Sequence, residues 1–107
     1  MARLSAIQLC SVPDVEENFV TIDRIISQLP EADEHLVLLP ECCLFFGGSD
    51  SEQLTLSKNI EVLGYVERFA QLAKKYACYL VAGSIPTAYS EKKFSNSCLV
   101  FSPTGAL

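Results

Sequence analysis

Four short apolar runs, separated by segments of helical periodicity, constrain the fold of this chain more than any other feature. The runs cover residues 4–10, 36–40, 78–84 and 97–103, and they have the length of buried strands rather than of helices. Helical periodicity lies between the first and second runs and between the second and third. The resulting order, β-α-β-α-β-β, predicts an α/β fold built on a layered sheet. Because "LVLLP" is apolar throughout, we expect the strand at 36–40 to be covered on both faces.

The first predicted helix has a clear start, a single apolar face and a clear end. Asp14 can cap it, and Glu17 three positions later would complete a capping box. Pro30 ends it. Its apolar residues recur every three or four positions and form one stripe: Val15, Phe19, Ile22, Ile26 and Leu29.

The second half predicts a long loop, one helix and two further strands. Residues 42–57 form the loop, which contains Gly47 and Gly48, and the helix covers residues 59–77. Residues 87–94 are a polar connection, and "TGAL" opens a turn after the last strand. The helix has its own apolar stripe: Val62, Val66, Phe69, Ala73 and Ala77.

Composition and charge exclude several classes of function. With 8 basic and 13 acidic residues the net charge is −5, and no basic cluster exceeds a pair of lysines, so no nucleic-acid partner is expected. No apolar run approaches the roughly 20 residues that span a bilayer, and the start lacks a signal-peptide pattern, so we expect a cytoplasmic protein without a membrane partner.

The five cysteines are expected to be reduced thiols, mostly in the core, because their number is odd and most lie in apolar segments. No C-x-x-C motif occurs and the single histidine, His35, falls in a turn before a strand, so no metal site is expected. Cys42 and Cys43 leave a redox function as a third hypothesis. It has little support, because a vicinal disulfide is strained and their charged neighbour, Glu41, is anionic.

Glu41 is the candidate for chemistry that the residues themselves indicate. It follows the second strand directly, and ligands of open α/β sheets gather outside the carboxyl ends of the strands. Surrounding leucines and phenylalanines would partly desolvate the carboxylate and prepare it as a general base. A helix cap or an ion-paired surface carboxylate is the structural alternative. Cys42 and Cys43 would point to opposite faces of an extended chain and pack the wall of the pocket.

From residue 4 to residue 107 the chain resembles the N-terminal part of the nitrilase, or carbon–nitrogen hydrolase, superfamily. The resemblance rests on "AIQLC", on Asp14 and Asn18 within "PDVEENF", and on "LVLLPE". It continues through "LAKKYACYLVAGS" and through "FSNSCLVFSPTGAL", which includes Asn96 and Ser97. Within the superfamily, the chain is similar to the small amidases that act on deaminated glutathione or on ω-amides of dicarboxylic acids.

This resemblance implies that residues 1–107 are the N-terminal segment of a single carbon–nitrogen hydrolase domain. The family's fold is a four-layer α-β-β-α sandwich, and its members are usually homo-oligomers acting on small-molecule amides without a cofactor. Its chemistry uses a Glu, a Lys and a Cys, of which Glu41 matches the Glu. The Lys and the Cys would lie beyond Leu107, so the chain alone is expected to be inactive. The alternative is a truncated protein that acts as a binding or assembly module.

Overall fold

The computed structural model describes residues 2–107, in which helices and strands alternate before a final hairpin. The elements are β1 (Ala2–Ala6), α1 (Val15–Ser27), β2 (Glu34–Leu38), α2 (Asp50–Asn59), α3 (Tyr65–Lys75), β3 (Tyr79–Ala88) and β4 (Phe94–Phe101). The strands form one four-stranded sheet in the order β1-β2-β3-β4. The first three strands are parallel and β4 is antiparallel to β3, so the predicted α/β fold is confirmed.

Helix α1 has the predicted start and the predicted buried face. The Asp14 side chain accepts a hydrogen bond from the Glu17 backbone N–H at 3.1 Å. The return bond from the Glu17 side chain is not formed among residues 2–107, so the predicted capping box is only half present. Phe19, Ile22 and Ile26 are buried, as the spacing predicts.

The segment after Glu41 departs from the prediction of one loop and one helix. Residues 50–59 form the additional helix α2, which has a complete capping box between Ser49 and Glu52. The chain then turns at Gly64, whose φ of +74° favours glycine, and α3 begins. Val62 was predicted to lie on a buried stripe, but it precedes this turn and is 83% exposed.

Helix α3 ends in a Schellman motif. The backbone N–H of Cys78 donates to the Ala73 carbonyl at 3.0 Å, and that of Ala77 donates to the Lys74 carbonyl at 3.2 Å. Ala77 takes the position that usually holds glycine, with φ at +49°, and it is exposed rather than on the predicted stripe. The motif reverses the chain directly into β3.

All four strands have boundaries shifted from the prediction. The ladder between β2 and its neighbours ends at Pro40, which has no N–H to donate. At its other end, β2 already pairs with β1 from Glu34, so His35, predicted in a turn, lies inside β2, where it is buried. The hairpin is longer than predicted, because β3 and β4 remain paired as far as Ala88 and Phe94 after an irregularity between Ala82 and Ile85.

A column of aromatic rings joins the first helix to the last strand. The rings of Phe19 in α1 and Phe69 in α3 lie 4.8 Å apart, and those of Phe69 and Phe101 in β4 lie 6.3 Å apart. Phe69 and Phe101 are fully buried. The core thus lies between the helices and one face of the sheet.

The other face of the sheet is apolar and open, so the prediction that β2 is covered on both faces is wrong for the described residues. Its side chains form two rows across the strands. The first row contains Leu4, Leu36 and Tyr79, and the second contains Ala6, Leu38, Val81 and Val100. Leu4 is 70% exposed and Leu38 is 41% exposed. The described residues therefore form two layers, helices on one sheet.

Candidate functional site

Glu41 lies where the sequence predicts, just beyond the carboxyl end of β2. The strand ends at Leu38, and the backbone N–H of Leu39 still donates to the Val81 carbonyl at 2.9 Å. The residues that follow form a compact turn, residues 39–44, which we call the Glu41 turn. Since β1, β2 and β3 are parallel, their carboxyl ends meet at this edge, where ligands of open α/β sheets bind.

The carboxylate itself is exposed, so the predicted partial burial is wrong for the described residues. Leu39, Leu44 and Phe45 turn into the core instead of surrounding Glu41, and Phe46 is 58% exposed. Glu41 caps no helix, and among residues 2–107 its side chain makes no hydrogen bond or ion pair. Neither structural alternative considered for it is therefore formed.

Gly83, in the irregular part of β3, supports the Glu41 turn from behind. A β-carbon at this position would lie 2.1 Å from the Leu39 carbonyl oxygen and 2.5 Å from that of Pro40. Both distances are far below van der Waals contact. Only glycine allows the two backbones to approach this closely.

Ser84 holds the next peptide group of the turn. The Cys42 backbone N–H donates to the Ser84 hydroxyl oxygen at 2.9 Å. Cys42 has φ at +53°, a conformation that L-residues other than glycine rarely adopt. The chain is therefore sharply turned here, and the extended geometry predicted for Cys42 and Cys43 is wrong.

Asn18 ties the end of the Glu41 turn to the loop between β1 and α1. Its side-chain amide donates to the Val12 carbonyl at 2.7 Å and to the Leu44 carbonyl at 2.8 Å. Its amide oxygen accepts from the Val12 backbone N–H at 3.0 Å. Asn18 is buried, so these bonds satisfy an amide that would otherwise be costly to bury.

The cysteines fall into different environments. Cys43 and Cys78 are buried, Cys42 is partly buried, and Cys10 and Cys98 are exposed, so the predicted core location holds for only some of them. Burial raises the pKa of the Cys43 thiol to about 11, and hydrogen bonding to the Ser84 and Gly83 backbone, which lowers it, does not offset the effect of burial. Cys43 therefore packs the wall of the turn, as predicted, and remains a neutral thiol near pH 7.

The lysines at the end of α3, Ser97 and His35 make their contacts outside the Glu41 turn. Lys74 and Lys75 are exposed at the end of α3, and Lys75 pairs with Asp23 of α1 at 3.1 Å. The Ser97 hydroxyl lies 2.7 Å from that of Thr87 across the hairpin. His35, whose Nε2 lies 2.7 Å from the Ser5 hydroxyl oxygen, occupies the opposite, amino end of β2.

Sequence reasoning missed the roles of Asn18, Gly83 and Ser84. A signal for Asn18 was present, because a polar residue at position 18 falls on the apolar stripe of α1, next to Phe19 and between Val15 and Ile22. Gly83 and Ser84 gave no local signal. Across residues 2–107, no group of three or more His, Cys, Asp or Glu side chains is arranged to hold a metal ion. In the same range, no helix is both long enough and apolar enough to cross a membrane.

Comparison with known proteins finds one family and several relatives. A family model described as carbon-nitrogen hydrolase matches residues 3–107. Omega-amidase NIT2 of Xenopus tropicalis is 33% identical over 106 residues, which are 98% of this chain and 37% of that protein. The chain thus spans little more than a third of that relative's length.

Solved structures share the fold. The NitFhit protein of Caenorhabditis elegans superimposes with a TM-score of 0.83 at 27% identity, over 96% of this chain and 25% of that one. An amidase from Nesterenkonia sp. superimposes with a TM-score of 0.79 at 20% identity, over 96% of this chain and 39% of that one.

Proposed function

Because the chain belongs to the carbon–nitrogen hydrolase family, we propose that it is part of an amidase in which Glu41 is the general base. The observation that supports this role is the position of Glu41. It lies at the carboxyl edge of the parallel strands, on a turn that backbone and side-chain contacts hold on both sides. Its carboxylate makes no bond within residues 2–107 and is free to accept a proton.

The proposed reaction uses a Glu, a Lys and a Cys and needs no cofactor. Glu41 takes the proton of a cysteine thiol, and the thiolate attacks the carbonyl carbon of the amide. A lysine ammonium stabilises the tetrahedral oxyanion. The C–N bond breaks as Glu41 returns the proton to the leaving nitrogen, which leaves a thioester. Glu41 then takes a proton from water while the resulting hydroxide attacks the thioester. When the C–S bond breaks, Glu41 returns this proton to the sulfur, which releases the acid and restores both the thiol and the carboxylate.

The Lys and the Cys are proposed to come from residues outside this chain. Cys43 is a neutral thiol in the wall of the turn, and Lys75 is paired with Asp23 at the end of α3. The 107-residue chain by itself is therefore expected not to hydrolyse amides.

The substrate is proposed to be a small amide, in particular the ω-amide of a dicarboxylic acid. The support is the similarity to omega-amidase NIT2 of Xenopus tropicalis. The Nesterenkonia amidase adds support for a cysteine nucleophile, because in a mutant of that enzyme acrylamide adds to the active-site cysteine. A cytoplasmic location and a homo-oligomeric state remain predictions from the sequence and the resemblance.

Release of ammonia from succinamate by the full-length protein tests the role of Glu41. Glu41→Gln keeps the shape of the side chain but removes the base, and a loss of kcat of about 10²- to 10⁴-fold is expected. Glu61→Gln, at another exposed glutamate, is the control and should leave kcat unchanged. Activity of Glu41→Gln within a few-fold of wild type would exclude Glu41 as the base.

The open sheet face favours a second candidate, an assembly module. Its two apolar rows could be covered by the second sheet of a four-layer sandwich or by another copy of the chain. Light scattering on the 107-residue chain tests this candidate. A concentration-dependent dimer without amidase activity would support it, and a stable monomer would contradict it.

A further inference from the structure

We propose that Ser84 is a positioning residue that sets the direction in which the Glu41 side chain leaves the backbone, and that Gly83 supports it by its close contact with the Pro40 carbonyl. This inference depends on the proposed role of Glu41 as the base. Both residues lie in the irregularity of β3 between Ala82 and Ile85. Such irregularities are frequent next to active sites, where they redirect a side chain or end the pairing of strands.

The geometry fixes the peptide group on each side of Glu41. The Cys42 N–H belongs to the same planar peptide unit as the Glu41 carbonyl, so its hydrogen bond to the Ser84 hydroxyl at 2.9 Å sets the ψ angle of Glu41. The Pro40 carbonyl belongs to the preceding unit. The close approach of Gly83 to that carbonyl prevents this unit from rotating into β3. With one unit bonded and the other blocked on the side of β3, the direction of the Glu41 Cα–Cβ bond is restricted.

The backbone conformation shows why this anchor is needed. Cys42 has φ at +53°, which is unfavourable for a residue with a β-carbon, so the turn would relax without contacts that hold it. Asn18 holds the far end of the turn at Leu44 but touches neither peptide group next to Glu41. Ser84 supplies the side-chain bond at the base itself.

Loss of the Ser84 hydroxyl should therefore affect catalysis more than stability. In the full-length protein acting on succinamate, Ser84→Ala is expected to lower kcat by about 10- to 100-fold, because small errors in placing a catalytic group are costly. KM should change by less than about threefold, since the role proposed for Ser84 is to hold the Glu41 turn and not to bind substrate. The acidic limb of the kcat/KM profile, which reports the base in the free enzyme, should shift in pH.

Ser97→Ala is the matched control. It also removes a hydroxyl contact, 2.7 Å to Thr87, from the same hairpin, and this contact involves no residue of the Glu41 turn. It should lower the unfolding temperature about as much as Ser84→Ala and leave kcat and the pH profile unchanged. If Ser84→Ala does not fold, Ser84→Cys keeps a side chain of similar size with a weaker acceptor, and its kcat should fall by at least about threefold.

The outcomes separate this inference from the function on which it depends. Wild-type kcat in Ser84→Ala, or in Ser84→Cys if only that variant folds, would overturn the positioning role while Glu41→Gln remained inactive. An active Glu41→Gln variant would overturn the role of the base, and the positioning role with it. A loss of kcat in Ser84→Ala that Ser97→Ala reproduces would show a general effect of the hairpin and would also overturn the inference.

Discussion

Gly83→Ala is the substitution for which the structure predicts the largest effect from a single methyl group. The new carbon would lie 2.1 Å from one backbone oxygen and 2.5 Å from another, so β3 and the Glu41 turn would have to separate by roughly 1 Å. This separation is resisted, because the hydrogen bond from the Leu39 N–H to the Val81 carbonyl holds the Glu41 turn to β3. We expect a loss of about 3 kcal/mol or more in the free energy of unfolding. For a chain of this size that is a large share of the total, which is about 5–15 kcal/mol.

Urea unfolding of the wild type and of two glycine variants measures this loss. Gly64→Ala is the matched control, because nothing lies within 4 Å of its added carbon and its φ of +74° is the only obstacle. That variant should lose about 1 kcal/mol. If Gly83→Ala lost no more than Gly64→Ala, the reasoning from close approach would be refuted. Full-length Gly83→Ala should also lose amidase activity, since the Glu41 turn moves.

Three further predictions concern the helix end, the buried histidine and the thiols. Ala77→Gly should raise the free energy of unfolding by about 0.5–1 kcal/mol, because glycine adopts φ of +49° without strain. Lys74→Gly, inside the same helix, should lower it by about 1 kcal/mol. Thermal unfolding in which the two variants did not change stability in opposite directions would contradict this. Burial and the Arg3 guanidinium lower the pKa of His35 below 6.5, so the unfolded chain takes up a proton that the folded chain resists. The free energy of unfolding should therefore be constant above about pH 7 and fall as the pH drops below 6.5. His35→Gln should remove this pH dependence between pH 7.5 and 5.5. If the pH dependence were unchanged in that variant, His35 would be excluded as its source. Iodoacetamide at pH 8 should alkylate exposed Cys98 and spare Cys43, whose buried thiol has its pKa raised to about 11. If peptide mass spectrometry showed equal rates of alkylation for the two thiols, the Glu41 turn would have to open.

The parts of the fold that the sequence predicts are those with a strong local pattern. Helix α1 has a capping aspartate and an apolar stripe at helical spacing, and both the cap and the burial of Phe19, Ile22 and Ile26 are observed. Helix α2 was missed because Leu56 is its only buried apolar residue, so its periodicity is faint. Its signal was the capping box of Ser49 and Glu52, a short motif within a segment that otherwise reads as a polar loop. Caps, rather than a buried stripe, identify this helix.

The candidate site likewise has a part that the sequence predicts and a part that it does not. The position of Glu41 follows from the strand before it and from the rule that ligands gather at the carboxyl ends of strands. The contacts that hold it could not be predicted. Ser84 meets Cys42 across 42 positions of sequence, and Asn18 meets Leu44 across 26, so no local spacing connects them. The exposure of Glu41 was also unexpected, because its apolar neighbours in sequence turn into the core and no local pattern signals the positive φ of Cys42.

The aromatic column has a consequence for how the chain acquires its structure during synthesis. Phe69 fills the space between Phe19 and Phe101, so the packing of α1 and α3 is incomplete until the last strand has been made. A ribosome adds about 5–20 residues per second, so α1 waits several seconds for Phe101. Throughout that interval its apolar stripe has no finished core to cover it. The first three strands are therefore expected to stay without a complete core until β4 emerges.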